Sequence, residues 1–226
     1  MNMPLLPVIL FDLDGTLTDP KEGITNCIRY ALERMAREPP HASELLFAIG
    51  PPLRTSFAKL LETDDTRAIE LAMKHYRERF STVGLFENSV YPGIPEMLAY
   101  IKTKGCRVLL ATAKPHVYAK RILEHFSMLA PFDSIYGSEL DGTRQHKTDL
   151  LAYLLKHERV NPADRPIVMI GDRSHDIEAA HANACSAIGV SWGYGSASEL
   201  AGADLICDEP MQVARLLRQR YVRNIT

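Results

Sequence analysis

Val8-Ile9-Leu10-Phe11-Asp12-Leu13-Asp14-Gly15-Thr16 runs from four apolar residues straight into two carboxylates. An unbroken apolar run of this length reads as a strand buried on both faces of a parallel sheet, so charges at its end need partners. Side chains alternate along a strand, which places Asp12 and Asp14 on one face and Phe11 and Leu13 on the other. Carboxylates this close repel one another, and a divalent cation is the simplest relief. Gly15 lets the backbone turn away where a side chain would resist, and Thr16 adds a hydroxyl at the mouth. The layout suits a phosphate and a metal ion, although a polar strand end followed by an Asp-Gly turn has the same letters.

The same ingredients return downstream. Ile167-Val168-Met169-Ile170-Gly171-Asp172 is a second apolar run stopped by Gly and Asp, and Asp176 follows in Arg173-Ser174-His175-Asp176. A helix starting near Ser174 carries Asp176 about one turn beyond Asp172, facing the same crevice. Arg107-Val108-Leu109-Leu110-Ala111-Thr112 ends a third strand in a hydroxyl, and Ala113-Lys114-Pro115 then reads as the entry to a helix whose free amides attract phosphate. Lys147 stands just before the periodic run Leu150, Leu151, Leu154, Leu155. A cation at a helix start opposes the helix dipole, which favours a functional reason for it. Strands are expected over 7–12, 107–112, 132–137, 167–171 and 186–190, separated by helical patterns. That alternation predicts an α/β fold with a doubly wound parallel sheet, and it gathers the polar strand ends along the carboxyl edge where such sheets bind ligands.

Composition narrows the classes of function. The 226 residues are 46% hydrophobic, enough for one sizeable core with a smaller attached domain. Lys and Arg number 26 against 28 Asp and Glu, a net charge of -2, so no basic field recruits nucleic acid. Arg215, Arg218, Arg220 and Arg223 read as a solvated helix face. Cys27, Cys106, Cys185 and Cys207 lack CxxC spacing and read as buried thiols of a reducing compartment. No apolar stretch approaches the ~20 residues of a membrane span and no signal-peptide pattern opens the chain, so a cytoplasmic protein without a membrane partner is expected. His116, His146, His175 and His181 are not spaced with Cys for zinc and read as polar loop or helix residues.

Asp12-Leu13-Asp14-Gly15-Thr16, Thr112, Lys147 and Gly171-Asp172 with Asp176 resemble, in order and spacing, the four motifs of the haloacid dehalogenase-like (HAD) hydrolases. Within them the chain is similar to the phosphoglycolate phosphatase and 5′-nucleotidase branch. The resemblance implies an all-helical cap inserted after the first strand, with residues 1–18 and 90–226 as the catalytic core and 19–89 as the cap. It implies a phosphomonoester hydrolase in which Asp12 is the nucleophile, Asp14 the acid and base, and Thr112, Ala113 and Lys147 bind phosphate. Mg²⁺ is the implied cofactor, held by Asp12, Asp14 and Asp172, with Asp176 behind the metal or partnering Lys147. Relatives often carry Asn or Ser where this chain has Ala113, leaving only a backbone amide there.

The segment from about Pro20 to Ser89 shows no strand pattern. Ile24, Cys27, Ile28, Ala31, Leu32 and Met35 recur at helical spacing; further helices are expected through Leu53, Phe57, Leu60 and Leu61, and through Ile69, Met73, Tyr76 and Phe80. The rigid Ile49–Phe57 loop entering a helix is similar to a cap segment of the 5′-nucleotidase-like members, which makes Arg54 and Ser56 candidate substrate contacts. Gly171–Ile177 and Gly189–Gly195 also resemble those members, so a small phosphorylated metabolite, first a nucleoside monophosphate, is the expected substrate. Trp192 and Tyr194 are expected to pack rather than stack on a base. Phosphoglycolate phosphatase is the alternative, and a phosphomutase or a non-enzymatic regulator would share the fold. A dehalogenase has no use for Asp14 as an acid on a leaving alkoxide.

Overall fold

The computed structural model describes residues 6–221. The strands are β1 (Val8–Phe11), β2 (Thr18–Asp19), β3 (Ser89–Val90), β4 (Arg107–Pro115), β5 (Ser134–Ser138), β6 (Ile167–Gly171), β7 (Ser186–Val190) and β8 (Leu205–Cys207). Six of them form one parallel sheet in the order β5-β4-β1-β6-β7-β8, with β1 between β4 and β6.

Alternation explains why these runs are apolar throughout. Ile9, Phe11, Val108, Leu110, Val168 and Ile170 join one hydrophobic cluster, while Val8, Leu10, Leu109, Ala111, Ile167 and Met169 join another on the opposite face. Helices cover both faces, as a doubly wound sheet requires. Residues of α4 (Ile94–Thr103), α5 (His116–His125) and α9 (Pro210–Tyr221) lie in the first cluster, and those of α6 (Lys147–Glu158) and α7 (Ser174–Ala182) in the second. Among the described residues no helix is long and apolar enough to cross a membrane. The four cysteines are buried and free. Arg215, Arg218 and Arg220 are exposed on α9, and Arg223 lies outside the described residues.

Between β2 and β3 the chain is helical: α1 (Lys21–Arg34), a 3₁₀ turn (Ala42–Ala48), α2 (Leu53–Leu61), α3 (Thr66–Arg79) and a π turn (Phe80–Gly84). Ile24, Cys27, Ile28 and Ala31 form the buried face of α1, and Ile69, Ala72, Met73 and Tyr76 that of α3. Asp65 starts α3 by accepting a hydrogen bond from the Arg67 amide at 3.0 Å. An aromatic chain leads from this insert into the core. Phe57 meets Tyr76 edge-on at 6.2 Å, Tyr76 stacks on Phe80 at 5.1 Å, and Phe80 meets Tyr118 of α5 edge-on at 5.3 Å.

Several boundaries differ from expectation. The insert is flanked by the antiparallel pair β2 and β3, so Ser89 is strand, and the chain enters and leaves the insert side by side. β8 and the short α8 (Ala197–Leu200) were not expected. β4 does not stop at Thr112: it pairs with β5 up to Thr112 and Gly137, then slips register so that Pro115 faces Ser138. Pro115 precedes α5 instead of lying in its first turn. Such a bulge re-aims the residues it contains, here Ala113 and Lys114.

Gly137 makes that bulge possible. A Cβ there would stand 2.6 Å from the Lys114 carbonyl oxygen and 2.7 Å from the His116 amide nitrogen. Gly137→Ala is expected to cost about 1–3 kcal/mol through this backbone clash, lowering Tm by about 3–10 °C for a chain of this size. An unchanged melting curve by circular dichroism would show that the β4–β5 crossing is not tight.

Candidate active site

Every catalytic or phosphate-contacting residue the sequence reading placed in the core lies at the carboxyl edge of the sheet. β1 ends at Phe11, and the Asp12 amide donates to the Ile170 carbonyl at 3.0 Å, fixing Asp12 beside the end of β6. Asp12 is 2% exposed and Asp14 7% exposed. The chain then turns sharply: the Thr16, Leu17 and Thr18 amides all donate to the Leu13 carbonyl. Gly15 sits at φ +82°, and a Cβ there would meet the Asp172 carboxylate at 2.2 Å, so both backbone shape and space require glycine.

Lys147, the first residue of α6, is buried between two acids. Its ammonium lies 2.9 Å from Asp12 Oδ1 and donates to Asp176 Oδ1. The Asp12 contact is coulombic, since that oxygen has no aligned hydrogen-bond donor. Asp176 Oδ2 accepts from the Arg173 amide at 3.0 Å. Burial raises the Asp12 pKa, and the Lys147 charge only partly offsets it. At Asp176 burial acts the same way, but Lys147, His175 and the Arg173 amide together outweigh it and the pKa is lowered. Burial also pulls Lys147 down, yet the charges of Asp12 and Asp176 hold its pKa above the ordinary value. Lys147 is therefore an ammonium.

Asp172 is on the far side of this pair. Its Oδ1 accepts from the Thr16 hydroxyl at 3.2 Å and its Oδ2 from the Tyr194 amide at 2.7 Å. Burial, followed by the Asp176 and Asp12 charges, pushes its pKa up to about 8. The segment after β7 braces the turn. Trp192 Nε1 donates to the Thr16 carbonyl at 3.0 Å, and the Tyr194 hydroxyl donates to Asp19. Both aromatics thus pack and position, as expected. Thr112 is buried, with its hydroxyl accepting from the Lys114 amide at 3.3 Å, and the Ala113 carbonyl accepts from Ser138 Oγ at 2.7 Å.

Lys114 was overlooked as a site residue. The bulge turns it inward, and its ammonium stands 2.7 Å from Asp14 Oδ2. His175 is a helix residue of α7, as expected, and its ring and the Asp12 and Asp176 carboxylates bring ligand atoms within 4.8 Å of one another. Burial holds its pKa below the usual histidine value. Both carboxylates of that grouping already face the Lys147 ammonium. Asp172 has no such cation, and Asp12 and Asp14 each keep a buried oxygen without a hydrogen-bond donor; these are donors suited to a hard divalent ion.

A cavity over Asp14, Ala113 and Lys114 is roofed by Ile24, Tyr76 and Phe80 of the insert. Arg54 lines it while paired with Glu70; Ser56 is buried in α2 and is not part of the lining. Core and insert are tied through main-chain carbonyls: Arg173 to Ile49 at 2.6 Å, Arg77 to Leu140 at 2.8 Å and Arg121 to Ser81 at 2.8 Å.

The family model described as haloacid dehalogenase-like hydrolase matches residues 9–190. The chain belongs to this family and, within it, to the phosphatases. It is 48% identical over 194 residues to a 5′-nucleotidase of Pseudomonas aeruginosa, covering 86% of each chain. It is 37% identical over 190 residues to tyrosine-protein kinase PtkA of Mycobacterium tuberculosis, covering 84% of this chain and 64% of that one. A solved structure of a predicted phosphatase from Clostridium acetobutylicum superposes with a TM-score of 0.90 at 40% identity, covering 95% and 99% of the two chains.

The elevated Asp172 pKa has a measurable sign. Between the unfolded value near 3.8 and the folded value of about 8, the folded protein holds a proton that the unfolded chain releases. This group therefore removes stability as pH rises from about 4 to about 8. In EDTA, Asp172→Asn is expected to melt above the native protein at pH 8, with the gap closing towards pH 4. A gap independent of pH by differential scanning fluorimetry would contradict the assignment.

Proposed function

We propose that this phosphatase hydrolyses nucleoside monophosphates, with Mg²⁺ as cofactor, through an aspartyl phosphate on Asp12. One observation carries the mechanism: Asp12, at the end of the central strand, is buried with one oxygen lacking a hydrogen bond, 2.9 Å from the Lys147 ammonium. A carboxylate so placed is held for use on something that enters.

In the first half-reaction an Asp12 oxygen bonds to phosphorus as the bond to the leaving oxygen breaks, and Asp14 gives that oxygen a proton. In the second, Asp14 takes a proton from water as the water oxygen bonds to phosphorus, which releases inorganic phosphate and frees Asp12. Lys147 neutralises charge on the phosphoryl oxygens, with the Thr112 hydroxyl and the Ala113 amide as further donors. Asp12, Asp172 and the main chain of Asp14 would hold Mg²⁺, which supplies charge neutralisation of the incoming dianion when bound. Asp176 keeps Lys147 in place.

Residues 19–89 serve as the cap over a core formed by 1–18 and 90–226. The roof of Ile24, Tyr76 and Phe80 favours a leaving group with apolar surface, which a nucleoside has and glycolate lacks. The nucleotide assignment also draws on the likeness to the Pseudomonas aeruginosa 5′-nucleotidase.

Phosphate release from a panel of nucleoside monophosphates, phosphoglycolate and sugar phosphates, with Mg²⁺ and with EDTA, tests this reading. Release is expected chiefly from nucleotides, only with Mg²⁺, and at least about 10³-fold slower in a folded Asp12→Asn variant, as for loss of a nucleophile. Preference for phosphoglycolate would replace the substrate and keep the mechanism. Transfer of the phosphoryl group to a tyrosine peptide, without release to water, would overturn the hydrolase reading.

A further inference from the structure

Lys114 takes no part in the chemistry derived above, yet it is set inside the site with unusual care. The register slip after Thr112 turns it inward, the Thr112 hydroxyl receives its amide, and the missing Cβ of Gly137 leaves room for its carbonyl. Its side chain is 6% exposed, the ammonium 2.7 Å from Asp14 Oδ2 and 4.6 Å from the Phe80 ring centroid, on the roof of the cavity. The other cations near the cavity have separate partners: Lys147 has Asp12 and Asp176, Arg54 has Glu70, and Arg77 has the Leu140 carbonyl.

We propose that Lys114 reads the leaving group, selecting phosphomonoesters whose alcohol carries a second oxygen acceptor two carbons from the ester oxygen, an O–C–C–O unit. The inference rests on Asp14 as the acid and deepens the substrate assignment. As the acid of the first half-reaction Asp14 carries a proton, so it no longer neutralises the buried ammonium 2.7 Å away, and a buried charge without a partner is costly. The leaving oxygen within hydrogen-bond reach of Asp14 lies about 5 Å from the Lys114 ammonium, from the 2.7 Å contact plus one hydrogen bond of about 2.8 Å. An acceptor three bonds further along spans that gap. The ribose ring oxygen of a nucleoside 5′-phosphate stands there, as does the carboxylate of phosphoglycolate; a plain alkyl phosphate offers nothing. Phe80 closes one flank of the ammonium and keeps water from substituting for the acceptor.

The deciding pair is 2-methoxyethyl phosphate and butyl phosphate, which match in length and differ by one ether oxygen. Their ratio of kcat/KM is measured, or their ratio of inhibition constants against a nucleotide if turnover is slow. The native enzyme is expected to favour the ether by about tenfold to a hundredfold, the scale of a hydrogen bond to a charged group. Lys114→Met is expected to bring the ratio near one, and Lys114→Arg to restore part of it. Equal loss on both esters in Lys114→Met would show that Lys114 acts through Asp14 alone and would overturn the proposal. So would a native ratio near one, which needs no variant to fold. Nucleoside monophosphate against phosphoglycolate then separates a neutral from an anionic acceptor. Native turnover of esters without this discrimination removes only the present inference; no turnover of any ester removes the phosphatase mechanism and this inference with it.

Discussion

A single ammonium buried between two carboxylates organises this molecule. Lys147, 4% exposed, is tolerable because Asp12 and Asp176 face it, and taking away the lysine would leave two buried carboxylates uncompensated at a cost of about 3–5 kcal/mol. The partners come from the end of β1, the start of α6 and the start of α7, elements far apart in the chain. Closing that ion cluster therefore fixes how two separate crossovers meet the central strand. It also explains a cation at the start of a helix, where the dipole is unfavourable: two nearby anions outweigh half a positive charge.

The cluster treats its two acids unequally. Asp176 accepts from Lys147 and from the Arg173 amide, and its pKa falls; Asp12 has only the coulombic contact, and its pKa rises. The better-satisfied acid anchors the lysine, and the less satisfied one keeps its Oδ1 beside the ammonium without an aligned hydrogen bond. Across the turn, Asp172 is held by Thr16 and the Tyr194 amide with no cation of its own. Tyr194 also reaches Asp19 of β2, so the segment after β7 grips both the acidic turn and the root of the helical insert. The insert is fastened further out by arginines that donate to main-chain carbonyls. Such acceptors survive substitution of their side chains.

The central strands were legible in the sequence because burial on both faces leaves a continuous apolar run. Ile167–Gly171 and Ser186–Val190 match their expected bounds to the residue. Lys147 and Asp176 stood out in the sequence as charges beside an apolar period, and the structure pairs them. β2 and β3, at two residues each, carry no period, and β8 has only three, with Ile206 44% exposed at the sheet edge. Lys114 escaped notice for a different reason: Ala-Lys-Pro reads locally as a helix entry, and only the pairing of β4 with a glycine in β5 turns it into a bulge. The proximity of His175 to Asp12, 163 positions back, is of a kind that no local pattern encodes. Ser56 lies on the buried side of α2 although Arg54 reaches the cavity, because two residues, about 200° around a helix, carry a side chain to the opposite face.

The distribution of charge gives the site a direction. On one side Lys147 answers Asp12 and Asp176; on the other Lys114 answers Asp14; Asp172 remains without a counter-charge. Four acids face two lysines at this edge, so on the proposed reading a cation beside Asp172 would ease the entry of a phosphoryl dianion. The two lysines are held differently: Lys147 lies between two acids, whereas Lys114 has a single acidic partner and a ring on its flank. The more constrained lysine suits the proposed phosphoryl site, and the one that lines the cavity suits the proposed leaving group.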